Sequence, residues 1–166
     1  MKRRLMQLTG ATSILLLIIS MVLGSCGTTS QTAEKNTARF NMTSTDWVFT
    51  ANSANPQSGR TRQLTSGYNV TLTGSKLVSY LPYFGQASAG ADLFSGHGPL
   101  DFTSLDLTTA SQSRKGALNV TLKPKDQSEV QSMEFTFYDN GTAYLSVLML
   151  HRSSISFTGT VEQIKS

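Results

Sequence analysis

Several short segments of this chain alternate apolar and polar residues with a period of two. The clearest alternating segments are Tyr68–Thr73, Leu118–Lys123, Met133–Phe137 and Ile155–Thr158. Such alternation puts successive side chains on opposite faces of a β-strand, so that one face is buried and the other meets water. Weaker strands are predicted over 47–51, 76–81, 100–107 and 142–150. About eight strands with one polar face predict a mostly β fold, a single antiparallel sheet that is either curved and open or partly closed into a barrel.

Two turn sequences predict the register of two hairpins. Gly74-Ser75 fits a two-residue type II′ turn, which places Leu72 opposite Leu77. The second hairpin contains Asp139-Asn140-Gly141. A two-residue turn there would mix the two faces, whereas a three-residue turn with a glycine bulge keeps them separate. The bulged turn pairs Phe137 with Ala143, Phe135 with Leu145 and Met133 with Val147.

This second register turns three apolar side chains, Tyr144, Leu148 and Leu150, away from the predicted core. Two interpretations remain open. An amino-terminal segment carrying Phe40 and Met42 covers them, or they form an exposed surface for a partner or ligand.

The segment Tyr80–Gly85 concentrates three aromatic residues around Pro82. Because proline lacks a backbone N–H, this segment cannot run as a central strand. Either it turns over the sheet and closes the core with Tyr83 and Phe84, or it forms an aromatic wall for a sugar, lipid or peptide. The candidate binding residues are therefore Tyr80, Tyr83, Phe84, Tyr144, Leu148 and Leu150.

The amino terminus has the pattern of a secretory signal. Basic residues 2–4 precede an apolar run over 14–23, which would rise only about 15 Å as a helix, half the thickness of a hydrocarbon core. A short single-pass anchor is the alternative interpretation. The next tetrapeptide, Leu23-Gly24-Ser25-Cys26, resembles the bacterial lipobox. We therefore predict a signal peptide over 1–25, cleavage before Cys26, and lipidation of Cys26 by acyl chains such as palmitate.

The remaining chain is predicted to contain a lipid-anchored tether over 26–39 and one antiparallel β domain over 40–166, with a short amino-terminal helix near residues 34–42. Cys26 is the single cysteine, so its acylation leaves no thiol for a disulfide, a metal site or catalysis. Three of the 14 basic residues leave with the signal peptide. The mature chain then carries eleven basic and ten acidic residues, which speaks against nucleic-acid binding.

Residues with catalytic or metal-binding chemistry are sparse. His97 lies in a glycine-rich turn and His151 at a strand end, and their spacing does not bring two metal ligands together. The sequence lacks a Gly-x-Ser-x-Gly elbow for a serine hydrolase and a glycine loop for phosphate. A glycosidase needs a pair of carboxylates, which here could come from Asp92, Asp101, Asp106 and Glu134. These four residues are scattered along the sequence. We expect no cofactor, no metal and no enzymatic activity.

The middle and carboxyl end resemble the domain-of-unknown-function 4251 family. The resemblance rests on Asn55-Pro56, Leu64–Tyr68, Leu81–Gly85, Asn140–Ala143, Arg152 and Ile155–Gly159, and it covers about residues 46–160. It implies a small envelope protein of the Bacteroidota, often made as a lipoprotein, with no established activity. Gln86 stands where a basic residue is expected. The tether lacks an early acidic cluster, which favours an outer-membrane lipoprotein that faces the periplasm over one displayed outside.

Three functional hypotheses follow. The leading one is a non-catalytic binding or assembly module with an envelope protein partner. The second is a carrier or sensor of a small apolar ligand, which requires a cavity of at least about 300 Å³ lined by Tyr68, Phe135, Phe137 and Phe157. The third is a hydrolase, which requires His97 to lie within hydrogen-bonding distance of an Asp and a Ser.

Overall fold

A computed structural model describes residues 46–65, 67–91 and 96–164. Four predictions lie outside these residues. They are the signal peptide, the lipidation of Cys26, the tether and the amino-terminal helix with Phe40 and Met42. Within the described ranges, no helix is long and apolar enough to cross a membrane.

The described residues form ten β-strands and no helix. The strands are β1 Trp47–Pro56, β2 Arg62–Gln63, β3 Asn69–Thr73, β4 Lys76–Tyr80, β5 Asp101–Ser104, β6 Leu107–Arg114, β7 Ala117–Pro124, β8 Val130–Tyr138, β9 Thr142–Met149 and β10 Ile155–Gln163. Nine of them are hydrogen-bonded in the order β5-β4-β3-β1-β10-β9-β8-β7-β6, and β2 also pairs with β1. Every pairing is antiparallel, so the predicted single antiparallel sheet is confirmed.

The sheet curves until it is nearly closed into a barrel. Trp47 of β1 shows this curvature, because two strands separate β1 from β8 in the sheet and yet its ring contacts Phe135 and Phe137 of β8. The ring centroids lie 4.8 and 5.0 Å apart in edge-to-face geometry. Phe49 adds a third edge-to-face contact with Phe135 at 5.7 Å. All four rings are buried, and pairs of this geometry contribute about 0.5–1.5 kcal/mol each beyond their burial.

Both predicted hairpin registers are confirmed. Leu72 pairs with Leu77 around the Gly74-Ser75 turn, where Gly74 has a φ of 58° as a type II′ turn requires. Phe137 pairs with Ala143 and Phe135 with Leu145 in the β8–β9 hairpin. The ladder of the first hairpin ends at Asn69 and Tyr80.

The strand count differs from the prediction at two places. The segment over 100–107 was predicted as one strand, but it breaks at Leu105 and Asp106, and a further long strand, β6, follows. Seven of the eight β6 residues are exposed, so its sequence carries no apolar periodicity that could have indicated a strand. The two-residue strand β2 was also missed, since it too is fully exposed.

The break between β5 and β6 is held by a carboxylate from another loop. Asp126 accepts a hydrogen bond from the buried Ser104 hydroxyl at 2.5 Å and another from the Leu105 backbone N–H at 2.9 Å. The Ser104 bond, followed by that of Leu105, lowers the pKa of the Asp126 carboxyl below its usual value. The ionised form of Asp126 therefore stabilises the break between β5 and β6, which we refer to as the corner.

Strands β1 and β10 come unusually close at Gly159. The register between them shifts between Ala51 and Ser53, which marks a β-bulge. A Cβ atom at Gly159 would lie 2.0 Å from the Thr50 carbonyl oxygen. Only glycine fits here, because the obstacle is backbone and cannot rotate away.

Candidate functional site

The outer face of β9 carries an exposed apolar strip. Tyr144 and Leu148 are 38% and 43% exposed, whereas the alternate residues of the strand, including Leu145 and Val147, are buried. Leu150 follows the strand end and is 53% exposed. The predicted outward orientation of all three side chains agrees with these exposures.

A fourth residue of this surface, Tyr138, was missed by the sequence analysis. It ends β8 one residue after the inward-facing Phe137, and it is 43% exposed. Tyr144 pairs with Thr136, so Tyr138 lies diagonal to Tyr144 on the same face, about 7–8 Å away between backbones. The predicted register of the β8–β9 hairpin already placed Tyr138 on the same face as Tyr144. We refer to Tyr138, Tyr144, Leu148 and Leu150 as the outer patch.

One carboxylate lies beside the outer patch. Glu134 is exposed and pairs with Ser146, which separates Tyr144 from Leu148 along β9. Its charge is thus flanked by apolar side chains on the neighbouring strand. A complementary surface would combine apolar groups with one basic group.

The second candidate region is the loop that follows β4, whose residues 81–88 we refer to as the strap. The Tyr83 hydroxyl donates a hydrogen bond to the Ser153 carbonyl oxygen at 2.7 Å and lies 3.2 Å from both the Gln86 carbonyl oxygen and Ser153 Oγ. Tyr83 and Phe84 are partly buried and pack against the hydrophobic core. These contacts agree with the interpretation of the segment as a closure of the core.

Backbone hydrogen bonds fasten the strap to the segment between β9 and β10. The N–H of Ser153 donates to the Gln86 carbonyl, and the N–H of Ser88 donates to the His151 carbonyl, both at 2.9 Å. Ala87 and Arg152 form an isolated antiparallel bridge between them. Residues 86–88 are thus held in place against the segment between β9 and β10.

Two arginines contact the aromatic rings of the strap. The guanidinium carbon of Arg62 lies 4.5 Å from the centre of the Phe84 ring, and that of Arg152 lies 5.6 Å from the centre of the Tyr83 ring. Arg152 Nε also donates to Glu129 Oε2 at 3.0 Å. Both partners of this ion pair are mostly buried, with side chains 9% and 14% exposed. Glu129 could not be predicted as a contact of this region, because its partner lies 23 residues away along the chain.

The structure links part of the candidate set and separates the rest. The N–H of Leu150 donates to the Glu129 carbonyl at 3.0 Å, so the end of the outer patch is joined to the strap through Glu129 and Arg152. Tyr80 lies on the β3–β4 hairpin, where it is 51% exposed and stacks on Tyr68 at 5.6 Å. The six predicted residues therefore do not form one pocket.

Two segments that carry the resemblance now have places in the fold. Residues 81–85 lie in the strap, which is fastened to the segment between β9 and β10, and residues 155–159 lie in β10, which pairs with β9. A family model described as Domain of unknown function (DUF4251) matches residues 29–161, most of the chain. The chain belongs to the DUF4251 family. No curated protein matches the DUF4251 chain.

The glycine that ends the family-like Leu81–Gly85 segment has a structural role in this DUF4251 domain. A Cβ atom at Gly85 would lie 2.2 Å from the Tyr83 hydroxyl and 2.5 Å from Ser153 Oγ. The absence of a side chain thus allows the Tyr83 hydroxyl to reach Ser153. Gln86 stands where a basic residue is expected, and its backbone joins the same hydrogen bonds. Its carbonyl oxygen accepts from the Tyr83 hydroxyl, and its N–H donates to Ser153 Oγ.

A shallow cleft of about 220 Å³ lies at one end of the DUF4251 domain and includes His97, Asp101, Phe102, Ser128 and Glu129 in its lining. His97 Nδ1 is 3.8 Å from Asp101 Oδ2, beyond hydrogen-bonding distance, and both side chains are exposed. Among the described residues, no three His, Cys, Asp or Glu side chains come close enough to hold a metal ion.

The aromatic residues that a carrier would need around its ligand are packed against one another. Phe135 and Phe137 lie 5.5 Å apart, and both contact Trp47. Phe157 is fully buried in the same core. Tyr68 lies elsewhere, stacked on Tyr80. These contacts give the carrier hypothesis no support.

Proposed function

We propose that this DUF4251 protein is a lipid-anchored, non-catalytic binding module of the cell envelope, and that the outer patch docks a partner protein. The single observation that supports the proposal is the exposure of Tyr138, Tyr144, Leu148 and Leu150 on the face opposite the core. Apolar side chains on an outward sheet face weaken solubility unless something covers them, and aromatic residues are enriched at the centres of protein interfaces.

The partner is defined by the chemistry of the outer patch. It presents an apolar surface to Tyr144 and Leu148 and a lysine or arginine to Glu134. The sheet beneath is anchored to the core, because the inner residues of the same strands are buried. Such a surface binds without reordering, which lowers the cost of association.

The anchor follows from the predicted lipobox. Acylated Cys26 would hold the domain at the membrane, where we place it on the periplasmic side of the outer membrane. Anchoring raises the local concentration of the module near other envelope proteins and compensates for a modest affinity.

The anchor is tested by mass spectrometry of the protein isolated from its own membrane. We expect a chain that begins at Cys26 and carries acyl groups, and a Cys26→Ala variant that is released into the soluble fraction. A membrane-bound protein that retains residues 1–25 would contradict the proposed anchor.

The docking surface is tested with the same full chain and its purified companion. We expect the wild-type protein to retain its companion in stoichiometric amount. We expect the Leu148→Asp protein to lose the binding of this companion. Tyr80→Ser is the matched control, because it removes an exposed aromatic side chain from a different hairpin. A companion that binds the Leu148→Asp protein as tightly as wild type would overturn the proposed surface.

A further inference from the structure

The two edges of the sheet differ in how they are protected. Edge strand β5 has only four residues, and side chains from the β7–β8 loop contact its end. Gln127 Nε2 donates to the Thr103 carbonyl at 3.1 Å, and Asp126 accepts from the Leu105 N–H at 2.9 Å. A short, capped edge of this kind cannot template the addition of another strand.

The opposite edge, β6, lacks these protections. It is eight residues long, pairs with β7 without any register shift, and has no strand on its other side among the described residues. Its sequence, from Leu107 to Arg114, contains no proline and no charge before the terminal arginine. Long, regular, uncharged edges are the ones that pair with other chains.

The turn that follows β6 determines which backbone groups this edge presents. Arg114 pairs with Ala117 across the two-residue turn Lys115-Gly116, where Gly116 has a φ of 77°. The residues that flank a two-residue turn exchange hydrogen bonds with each other, and hydrogen-bonded pairs then alternate along the ladder. The even-numbered residues of β6 therefore bond to β7. The odd-numbered residues, Leu107, Thr109, Ser111 and Ser113, direct their N–H and C=O groups outward.

We propose that β6 pairs with β6 of a second copy of this chain, antiparallel about a two-fold axis through Ala110. Leu107 then lies opposite Ser113 of the partner subunit, and Thr109 lies opposite Ser111 of the partner subunit. All four outward-facing residues exchange backbone hydrogen bonds in this register. A shift of two residues in either direction leaves one of the four without a counterpart.

Charge selects the same register. Asp106 precedes β6 with its side chain 65% exposed and its Oδ1 3.9 Å from Lys125 Nζ of the same chain, and Arg114 ends the strand. The proposed pairing places Asp106 opposite Arg114 of the partner subunit, and symmetry repeats this pair at the other end. Oppositely charged residues across strands stabilise a pairing, whereas like charges oppose it. At the axis the two copies of Ala110 meet as a closely spaced pair, where a small side chain fits.

This interface is independent of the proposed partner surface. Strands β8 and β7 separate β9 from β6, so the outer patch stays accessible when two sheets join at β6. The dimer would present two outer patches on one continuous sheet. A failure of either proposal thus leaves the other unaffected.

The first test is native mass spectrometry and sedimentation of the full chain in detergent. We expect a dimer for wild type and a rise of about tenfold or more in its dissociation constant for Ala110→Lys, which brings two positive charges together at the axis. Thr160→Lys is the control, because Thr160 is exposed on the outer face of β10. A monomeric wild type, or a dimer that Ala110→Lys leaves intact, would overturn the proposal.

Oxidative cross-linking tests the register. A closely spaced antiparallel pair has its Cα atoms about 4.5 Å apart, within the range of a disulfide. Ala110→Cys should cross-link with itself. Thr108→Cys and Gln112→Cys should cross-link when mixed and stay monomeric when alone. The wild-type protein, which contains Cys26, gives the background level of cross-linking. Cross-linking of Thr108→Cys alone at the rate of Ala110→Cys would contradict this register.

A charge exchange supplies the last test. Arg114→Asp should weaken the dimer because it faces Asp106, and adding Asp106→Arg should restore the dimer. A double variant as weak as the single one would contradict the assigned pairing. A different protein chain bound along β6 in stoichiometric amount would likewise overturn self-association.

Discussion

Arg152 donates a hydrogen bond from its Nε to Glu129 Oε2 at 3.0 Å, and this ion pair is mostly buried. It connects three parts of the chain, because Glu129 leads into β8, Arg152 lies between β9 and β10, and the Tyr83 ring lies beside the guanidinium. The pair therefore holds the strap against the end of the outer patch.

Glu129→Ala should lower the free energy of unfolding by about 3 kcal/mol, because it leaves a mostly buried guanidinium without this carboxylate. Urea denaturation followed by tryptophan fluorescence measures the loss. Glu162→Ala, at an exposed position of β10, is the control and should change stability by less than about 0.5 kcal/mol. Equal effects of the two substitutions would show that the ion pair is not a structural link.

Gly85→Ala should destabilise the protein by roughly 2 kcal/mol, because the added methyl group collides with the Tyr83 hydroxyl and Ser153 Oγ. The matched control is Gly98→Ala, since a Cβ atom at Gly98 meets nothing within 4 Å. Thermal unfolding of both variants gives the comparison. A Gly85→Ala protein as stable as the control would mean that the strap can move away from Ser153 without cost.

Tyr83→Phe should loosen the strap while leaving the sheet intact, because only the hydroxyl contacts Ser153 and Gln86. A lost hydrogen bond of about 1.4 kcal/mol raises the equilibrium constant for local opening about tenfold. Hydrogen exchange at the Ser88 and Ser153 amides reports this opening, and exchange at β8 amides is the internal reference. Unchanged exchange at Ser88 and Ser153 would contradict the role of the hydroxyl as a fastener.

Acid should weaken the corner between β5 and β6. The folded-state pKa of Asp126 is depressed, mainly by the Ser104 hydrogen bond. Its contribution is therefore fully present above the ordinary pKa of 3.8 and is lost as the pH falls through the folded pKa. We expect Asp126→Asn to be less stable than wild type near pH 7, with a difference that narrows below pH of about 4.

Denaturation midpoints measured between neutral and acidic pH test this expectation. Glu134→Gln, on the exposed outer face of β8, serves as the control for a neutralised carboxylate. A stability difference between wild type and Asp126→Asn that stays constant down to the lowest pH would rule out titration of Asp126 as its cause.

The inner and outer faces of the strongly alternating strands could be predicted from the order of residues alone. In β3, β4, β8 and β9, burial of every second side chain and two glycine turns sufficed to predict the register to the residue. The outward orientation of Tyr144 and Leu148 followed from that register. These features are local, since a period of two and a turn type depend only on neighbouring residues.

Features that depend on distant residues could be seen only in the folded chain. Strand β6 has little apolar periodicity because little of it is buried, so only its pairing with β7 reveals it. Asp126 became a corner residue because a loop brings it to Ser104, 22 residues earlier in the chain. Glu129 and Arg152 meet because the pairing of β8 with β9, which reaches Val130 and Met149, brings together the residues beyond these two strand ends. Side chains that interact across the sheet leave no periodic trace in the sequence, because their spacing is set by the path of the chain and not by the geometry of one strand.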